Sequence, residues 1–198
     1  MFNIPLKNYA KVAALPKFDA YNKQIKVAIL GGSFNPAHQG HIHISDMVRK
    51  KCQLDEVWWL ITPQNPIKAN KHTAPLQQRY RYAKRLTYKS RYIKVFTSEK
   101  FFSNNYTAQT IRHLKNRNPR TKFHWLIGSD NAYHIHKWVG YRQIISQAPI
   151  IIFHRPKYIT KLGQKPVMKL ASTVIVTGKL HPLSSSAIRK DHGNTNPL

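Results

Sequence analysis

The sequence predicts an α/β protein, a single doubly wound domain around a mostly parallel sheet of about six strands. Three observations predict it. Six short apolar runs recur along the chain, helical patterns fill most of the gaps between them, and the residues of unusual chemistry fall just after the runs. Each run is four to six residues long, rich in Val, Ile, Phe or Trp, and flanked by turn formers or charge. Near-continuous apolarity suits strands covered on both faces, and strands alternating with helices indicate βαβ units.

Ile25–Leu30 is the first strand and runs into Gly31-Gly32, with a helix over about His41–Lys51 after it. Val57–Thr62 follows the acidic pair Asp55-Glu56 and stops at Pro63; the next helix covers about Pro75–Tyr88. Ile93–Thr97 is the third strand, ahead of a helix over about Tyr106–Asn116. Phe123–Ile127 ends at Gly128, and Ile150–Phe153 follows a helix over about Tyr141–Ser146. Pro156–Leu170, with two prolines and a glycine, is the most loop-like internal stretch, and Thr173–Thr177 is the last strand. Residues 1–24 read as a loosely packed extension, 25–190 as the domain and 191–198 as a tail.

A length of 198 residues suits one domain, and 41% hydrophobic residues supply a core despite a formal charge of +26. That charge arises from 33 Lys+Arg against 7 Asp+Glu. The seven acids, Asp19, Asp46, Asp55, Glu56, Glu99, Asp130 and Asp191, are scattered, which argues against a two-metal polymerase or nuclease site. Cys52 is the single cysteine, so an internal disulfide and a multi-cysteine zinc cage are excluded; it reads as a small, half-buried apolar residue. Pro5, Lys7, Lys11, Pro16 and Lys17 interrupt any leader-like run, and no apolar run approaches a membrane span. The expectation is a soluble, cytoplasmic protein with no membrane partner.

The basic residues are spread from Lys7 to Lys190, which suits a generally basic solvated surface; a funnel for an anionic partner is the alternative. The dense run from Arg79 to Lys94 interleaves with Tyr80, Tyr82, Tyr88 and Tyr92. Such a pattern can hold RNA, and on a helix it equally suits snorkelling stems beside a packed face.

Five segments follow the predicted strands: Gly31–Phe34, Pro63–Lys68, Glu99–Thr107, Gly128–Asn131 and Ser184–Arg189. Ligands of open α/β sheets bind beyond the carboxyl ends of the strands, so these segments line one rim with a nucleotide-sized site. Gly31–His41 carries the most chemistry. A double glycine permits close approach and positive φ, and a helix beginning near Gly40 or His41 aims free N–H groups at the same space. His38 and His41 sit at that helix start, where a triphosphate would favour their protonated, donor-rich forms. Zinc fits poorly: His38, His41 and His43 do not share one helical face, and only Asp46 and Cys52 stand nearby. The chain lacks G-x-G-x-x-G and a Walker A loop.

His38-Gln39-Gly40-His41 resembles the H-x-G-H motif of the nucleotidylyltransferase superfamily, and Leu183–Arg189 is similar to its second phosphate motif, I-S-S-T-x-I-R. Val57–Pro63 leading to Asn65–Lys68, Tyr106–Ile111, Trp125–Asn131, His136-Lys137-Trp138 and Phe153–Pro156 narrow the resemblance to the bacterial nicotinate-nucleotide adenylyltransferases. The likeness runs in order from about Ile25 to Arg189. Gln109 replaces a usual acid, Ser129 an alanine, and His154 an acid before Arg-Pro.

The resemblance implies a Rossmann-like fold and transfer of AMP from ATP to nicotinic acid mononucleotide, with Mg²⁺ carried in on ATP and no protein-bound metal. It places His38, His41 and Arg189 as catalytic groups on the phosphates, with Ser185 and Ser186 as further phosphate donors. Gly31, Gly32, Ser33 and Phe34 would hold the adenylate through backbone contacts, and Gly128 and Asp130 the ATP ribose. Lys68, Tyr106, Thr107 and Trp138 would bind the mononucleotide, Trp138 stacking on its pyridine and the Tyr106-Thr107 helix start receiving its carboxylate. Three other readings remain at this point: a related transferase with another phosphorylated acceptor, a basic nucleic-acid-binding protein, and a shortened relative of class I tRNA synthetases. No specific nucleic-acid partner is expected.

Overall fold

The computed structural model describes residues 24–63, 73–97, 107–154, 162, 166–169, 173–178, 182, 185 and 187–188. The predicted extension, apart from Gln24, and the predicted tail lie outside these residues. The strands are β1 (Ile25–Gly32), β2 (Glu56–Ile61), β3 (Ile93–Thr97), β4 (Thr121–Gly128), β5 (Ile150–Phe153) and β6 (Val174–Val176). Between them run α1 (Gln39–Lys51), α2 (Leu76–Leu86), α3 (Thr107–Arg117), α4 (Ser129–His134) and α5 (Tyr141–Gln147). All six strands are parallel, in the order β3-β2-β1-β4-β5-β6.

Alternation along the strands divides the core. Val27, Ile29, Trp58, Leu60, Trp125 and Ile127 point to the face covered by α3, α4 and α5. Ala28, Val57, Trp59, Ile61 and Leu126 point to the opposite face, where Val48 of α1 and Ala83 of α2 meet them. Every residue of β2 is buried, as expected for a strand with a helical layer on each side. Its tryptophans bring N–H groups that need acceptors: Trp58 Nε1 donates to Glu56 Oε2 at 2.7 Å and Trp59 Nε1 to Ser45 Oγ at 2.8 Å.

Two elements differ from expectation. Residues 129–137, for which the sequence predicts no helix after the rim segment Gly128–Asn131, form α4 and a 3₁₀ turn over Ile135–Lys137. At six residues, α4 is too short to show an apolar stripe. The stretch 156–170 is not wholly loop: Pro166–Lys169 is a 3₁₀ turn, and Leu162 and Val167 are buried in the core. Cys52 behaves as read, half-buried after α1, where burial pushes its thiol up.

The strand order places the topological switch between β1 and β4. From β1 the chain winds to β2 and β3 on one side; it then returns to β4 and winds outward to β5 and β6. The β1–β4 ladder stops at Leu30↔Leu126, whereas β1 pairs with β2 as far as Gly32↔Ile61 and β4 with β5 as far as Gly128↔Phe153. The two central strands therefore part for their last two residues. A crevice opens there, at the position where doubly wound sheets take ligands.

Candidate active site

The turn leaving β1 forms one wall of the crevice. Gly31 is extended and has no room for a side chain: a Cβ there would lie 2.9 Å from Trp125 Cη2. Close approach at the glycine pair thus serves the Trp125 ring beneath it. The positive φ expected of the glycines falls instead on Phe34, at 46°. Phe34 is buried and stacks on Trp59 with ring centroids 5.0 Å apart, and that packing holds a backbone conformation L residues seldom adopt. Asn35-Pro36 is a cis peptide, and the buried Asn35 accepts the Ala74 N–H on Oδ1 at 3.2 Å.

The chain then enters α1 through a cap made of two imidazoles. His38 is the N-cap residue, extended at φ −153° and ψ 171°, and its Nδ1 accepts the Gly40 N–H at 3.1 Å. His41 Nδ1 reaches back to accept the His38 N–H at 3.2 Å. This is the reciprocal arrangement of a capping box, with histidines where Ser/Thr and Glu usually stand. The spacing of H-x-G-H is the spacing of cap and third helical residue, so one pair of side chains starts the helix and marks the site.

The cap also sets the chemistry of the rings. With each Nδ1 acting as acceptor, the neutral imidazoles carry their proton on Nε2. Protonation at Nδ1, which the sequence reading expects a triphosphate to favour, would break a cap hydrogen bond. The rings lie 3.9 Å apart, and Phe34 packs on His41 at 4.8 Å. Behind His41 the support continues: its carbonyl accepts Ser45 Oγ at 2.8 Å, the hydroxyl that in turn accepts Trp59 Nε1. The first turn of α1 carries no acid, so its positive dipole end meets no competing anion.

The other wall is built from β4 and α4. Gly128 caps α4 without a side-chain bond, and Asp130 stands in the first turn, partly buried. Asp130 is the acid at the rim among the described residues. Asp55 accepts the Lys26 N–H at 2.8 Å and Glu56 binds Trp58, both at the entrance to β2. Asp46, two turns into α1, pairs with Lys50 at 2.7 Å. Burial alone would raise the Asp46 carboxyl; the Lys50 hydrogen bond and charge, with Tyr92 and Arg49, hold it below its ordinary value. Among the described residues no three His, Cys, Asp or Glu lie together in a metal-binding group.

Ser185 comes from the far end of the chain and donates to the Pro36 carbonyl at 3.0 Å, joining the segment after β6 to the turn after β1. The two phosphate-motif segments thus meet. Donation from Ser185 to a phosphate would require its hydroxyl to turn. Thr107 is the first residue of α3, and Trp138, half-buried, packs on the core face that α3 to α5 cover. Lys68, Tyr106, Ser186 and Arg189 lie outside the described residues.

One residue of this region is misread in the sequence. Arg79 opens the basic run that reads as an RNA patch or as snorkelling stems beside a packed face, yet its charged head is buried too, at 1% exposed. Its Nε donates to the Ala74 carbonyl at 2.9 Å, and its Nη1 donates to the carbonyls of Thr62, at 3.0 Å, and Ser33. An arginine preceded by Leu76 on a helix of strong amphipathic pattern was the available sign, since Arg79 falls on the inward side with Ala83.

Residues 29–191 match the cytidylyltransferase-like family. A protein of Parvibaculum lavamentivorans is 38% identical over 142 residues, which cover 72% of this chain and 70% of that protein. One from Agrobacterium fabrum is 33% identical over 185 residues, covering 84% of this chain and 98% of its own. Both carry the name probable nicotinate-nucleotide adenylyltransferase. In three dimensions the chain is similar to Plasmodium falciparum nicotinic acid mononucleotide adenylyltransferase in complex with NaAD, with a TM-score of 0.69 at 21% identity. That similarity covers 84% of this chain and 83% of the other, and establishes a shared fold.

Proposed function

The chain belongs to the nicotinate-nucleotide adenylyltransferases of the cytidylyltransferase-like family, and from that membership we infer that it transfers AMP from ATP to nicotinic acid mononucleotide. The products are deamido-NAD and pyrophosphate, in the biosynthesis of NAD. The observation that carries the assignment to this site is the histidine capping box beside the crevice at the sheet's switch point.

The reaction asks little proton chemistry of the protein. An oxygen of the mononucleotide phosphate, anionic at neutral pH, attacks the α-phosphorus of ATP, and the bond to the β-phosphate oxygen breaks with its electron pair leaving on pyrophosphate. No general base is needed. What remains is to align two polyanions and to stabilise charge as it moves onto the leaving group. We assign His38 and His41 to the triphosphate through their Nε2–H groups, with His41 bracing the α-phosphate, and the positive dipole end of α1 to the same anion. Gly31, Gly32, Ser33 and Phe34 offer backbone contacts to the adenylate, and Gly128 with Asp130 receives the ATP ribose. Arg189, Ser185 and Ser186 are assigned to phosphates from the segment after β6, and Lys68 to either substrate's phosphate.

For the acceptor, we assign Trp138 to stack on the pyridine ring and the start of α3, Tyr106-Thr107, to its carboxylate. A helix N-terminus favours the acid over the neutral amide. Mg²⁺ is assigned to the substrate, arriving as MgATP, because Asp130 is the rim carboxylate of the described residues and one carboxylate makes no cage. No described helix is long and apolar enough to cross a membrane. We assign the reaction to the cytoplasm, where both phosphorylated substrates are held.

The test is pyrophosphate release by the purified chain with MgATP and nicotinic acid mononucleotide. Release is expected with this acceptor and much less with nicotinamide mononucleotide. Release with phosphopantetheine instead would move the chain to another acceptor class.

A further inference from the structure

We propose that Arg79 is a positioning residue for ATP, fixing the turn after β1 so that the Phe34 N–H faces the nucleotide; this rests on the adenylyl-transfer reading above.

Arg79 joins three segments that are distant in sequence and adjacent at the rim. Its guanidinium holds the carbonyls of Ser33 in the turn after β1, Thr62 just past β2, and Ala74 ahead of α2. Neighbouring bonds close the same knot: Thr62 N–H donates to the Gly32 carbonyl at 3.0 Å, and Ala74 N–H donates to Asn35 Oδ1. A planar fork of five donors can reach three carbonyls at once; the single ammonium of lysine cannot reproduce that span. Burial sets Arg79 apart from its run, because Arg81, Lys84, Arg85, Lys89 and Arg91 are exposed.

The direction of the Phe34 N–H follows from the peptide itself. The Ser33–Phe34 bond is trans, so its C=O and N–H point in opposite directions. With the Ser33 carbonyl turned onto the buried guanidinium, the Phe34 N–H is turned away from it. Phe34 also holds φ at 46°, a conformation that persists where surrounding contacts over-determine it. Arg79 on the carbonyl side and Trp59 on the ring supply those contacts. Releasing Arg79 frees the peptide to rotate and withdraws a donor from the adenylate.

Steady-state kinetics of Arg79→Lys and Arg79→Ala, with both substrates varied, test the proposal. The expected result is a KM for ATP raised about tenfold, as for the loss of charged hydrogen bonds. The KM for the mononucleotide should change less than about twofold. Millimolar guanidinium, far below denaturing levels, should restore the ATP KM of Arg79→Ala. A purely structural role would lower the active fraction, reducing the maximal rate with both KM values unchanged, and that result overturns the proposal. Equal rises in both KM values, or absence of guanidinium rescue, overturn it too. Arg79→Gln serves where Arg79→Ala fails to fold, and failure of all three to fold assigns Arg79 to stability alone. Calorimetric binding of a non-hydrolysable ATP analogue reads the same effect without turnover. It therefore distinguishes failure of this inference from failure of the acceptor assignment.

Discussion

The helix starts that follow β1 and β4 stand on either side of one crevice and are built from opposite materials. At α1 the cap is two histidines, the first turn holds no acid, and the support behind it is aromatic: Phe34, Trp59 and the Ser45 hydroxyl between them. At α4 the cap is Gly128 with no side-chain bond, and the first turn carries Asp130. A helix start favours anions, so a side-chain carboxylate in the first turn occupies the place an incoming phosphate would take. The α1 start thus holds no side-chain anion, while α4 presents an acceptor suited to hydroxyls. Among the described residues Asp130 is the single carboxylate at this rim, and under the proposed function it would separate the polyphosphate end of a nucleotide from its sugar.

Breaking the α1 side should have the largest effect. His41→Ala removes the donor assigned above to the reacting phosphates and is expected to lower kcat by about 10²-fold or more. It also removes half of the capping box, which costs about 1 kcal/mol of stability. Pyrophosphate release at saturating substrates reads the first effect and thermal unfolding the second. A fall in melting temperature with an unchanged rate would make His41 a cap and nothing more.

On the α4 side, Asp130→Ala should act on binding. Loss of a charged hydrogen bond to the ribose is expected to raise the KM for ATP by about tenfold with a smaller change in kcat. A kcat loss as large as that of His41→Ala would contradict the division between the two starts. Trp138→Ala should be milder and fall on the other substrate. Loss of aromatic stacking raises the KM for the mononucleotide by about three- to tenfold, with ATP little affected. Equal effects on both substrates would remove Trp138 from the acceptor subsite.

Much of this architecture is legible in the sequence, and what is not has a common physical cause. β3 and β5 occupy the predicted residues, and the other strands differ at their ends by one or two, because apolar runs report local burial. H-x-G-H marks the right helix start. The sequence does not reveal that the histidines cap it, since imidazole is an unusual cap and the reciprocal bonds appear only in three dimensions. The crevice arises where the β1–β4 ladder stops, a relation between strands separated by ninety or more residues. Arg79 is the sharpest case. Its neighbours in sequence are solvated cations, and nothing local discloses three carbonyls waiting at the inner face.

The smallest expected effect lies outside both helix starts and sharpens what acid does to them. His124 sits on β4 opposite Ala28, and burial, then the charges of Lys26 and Lys122, hold its imidazole below the ordinary 6.5. His113 is pushed the same way by burial and Arg117. With the folded value depressed, the unfolded chain takes up protons first as pH falls. Stability should therefore be greatest above about pH 6.5 and decline as pH drops toward the folded value. His124→Gln should flatten part of that decline, measured as urea midpoints at neutral pH and about pH 5.5. Midpoints that fall by the same amount in the wild type and in His124→Gln would remove His124 from the acid response of stability and leave that response to His113 and the other groups that take up protons in this range.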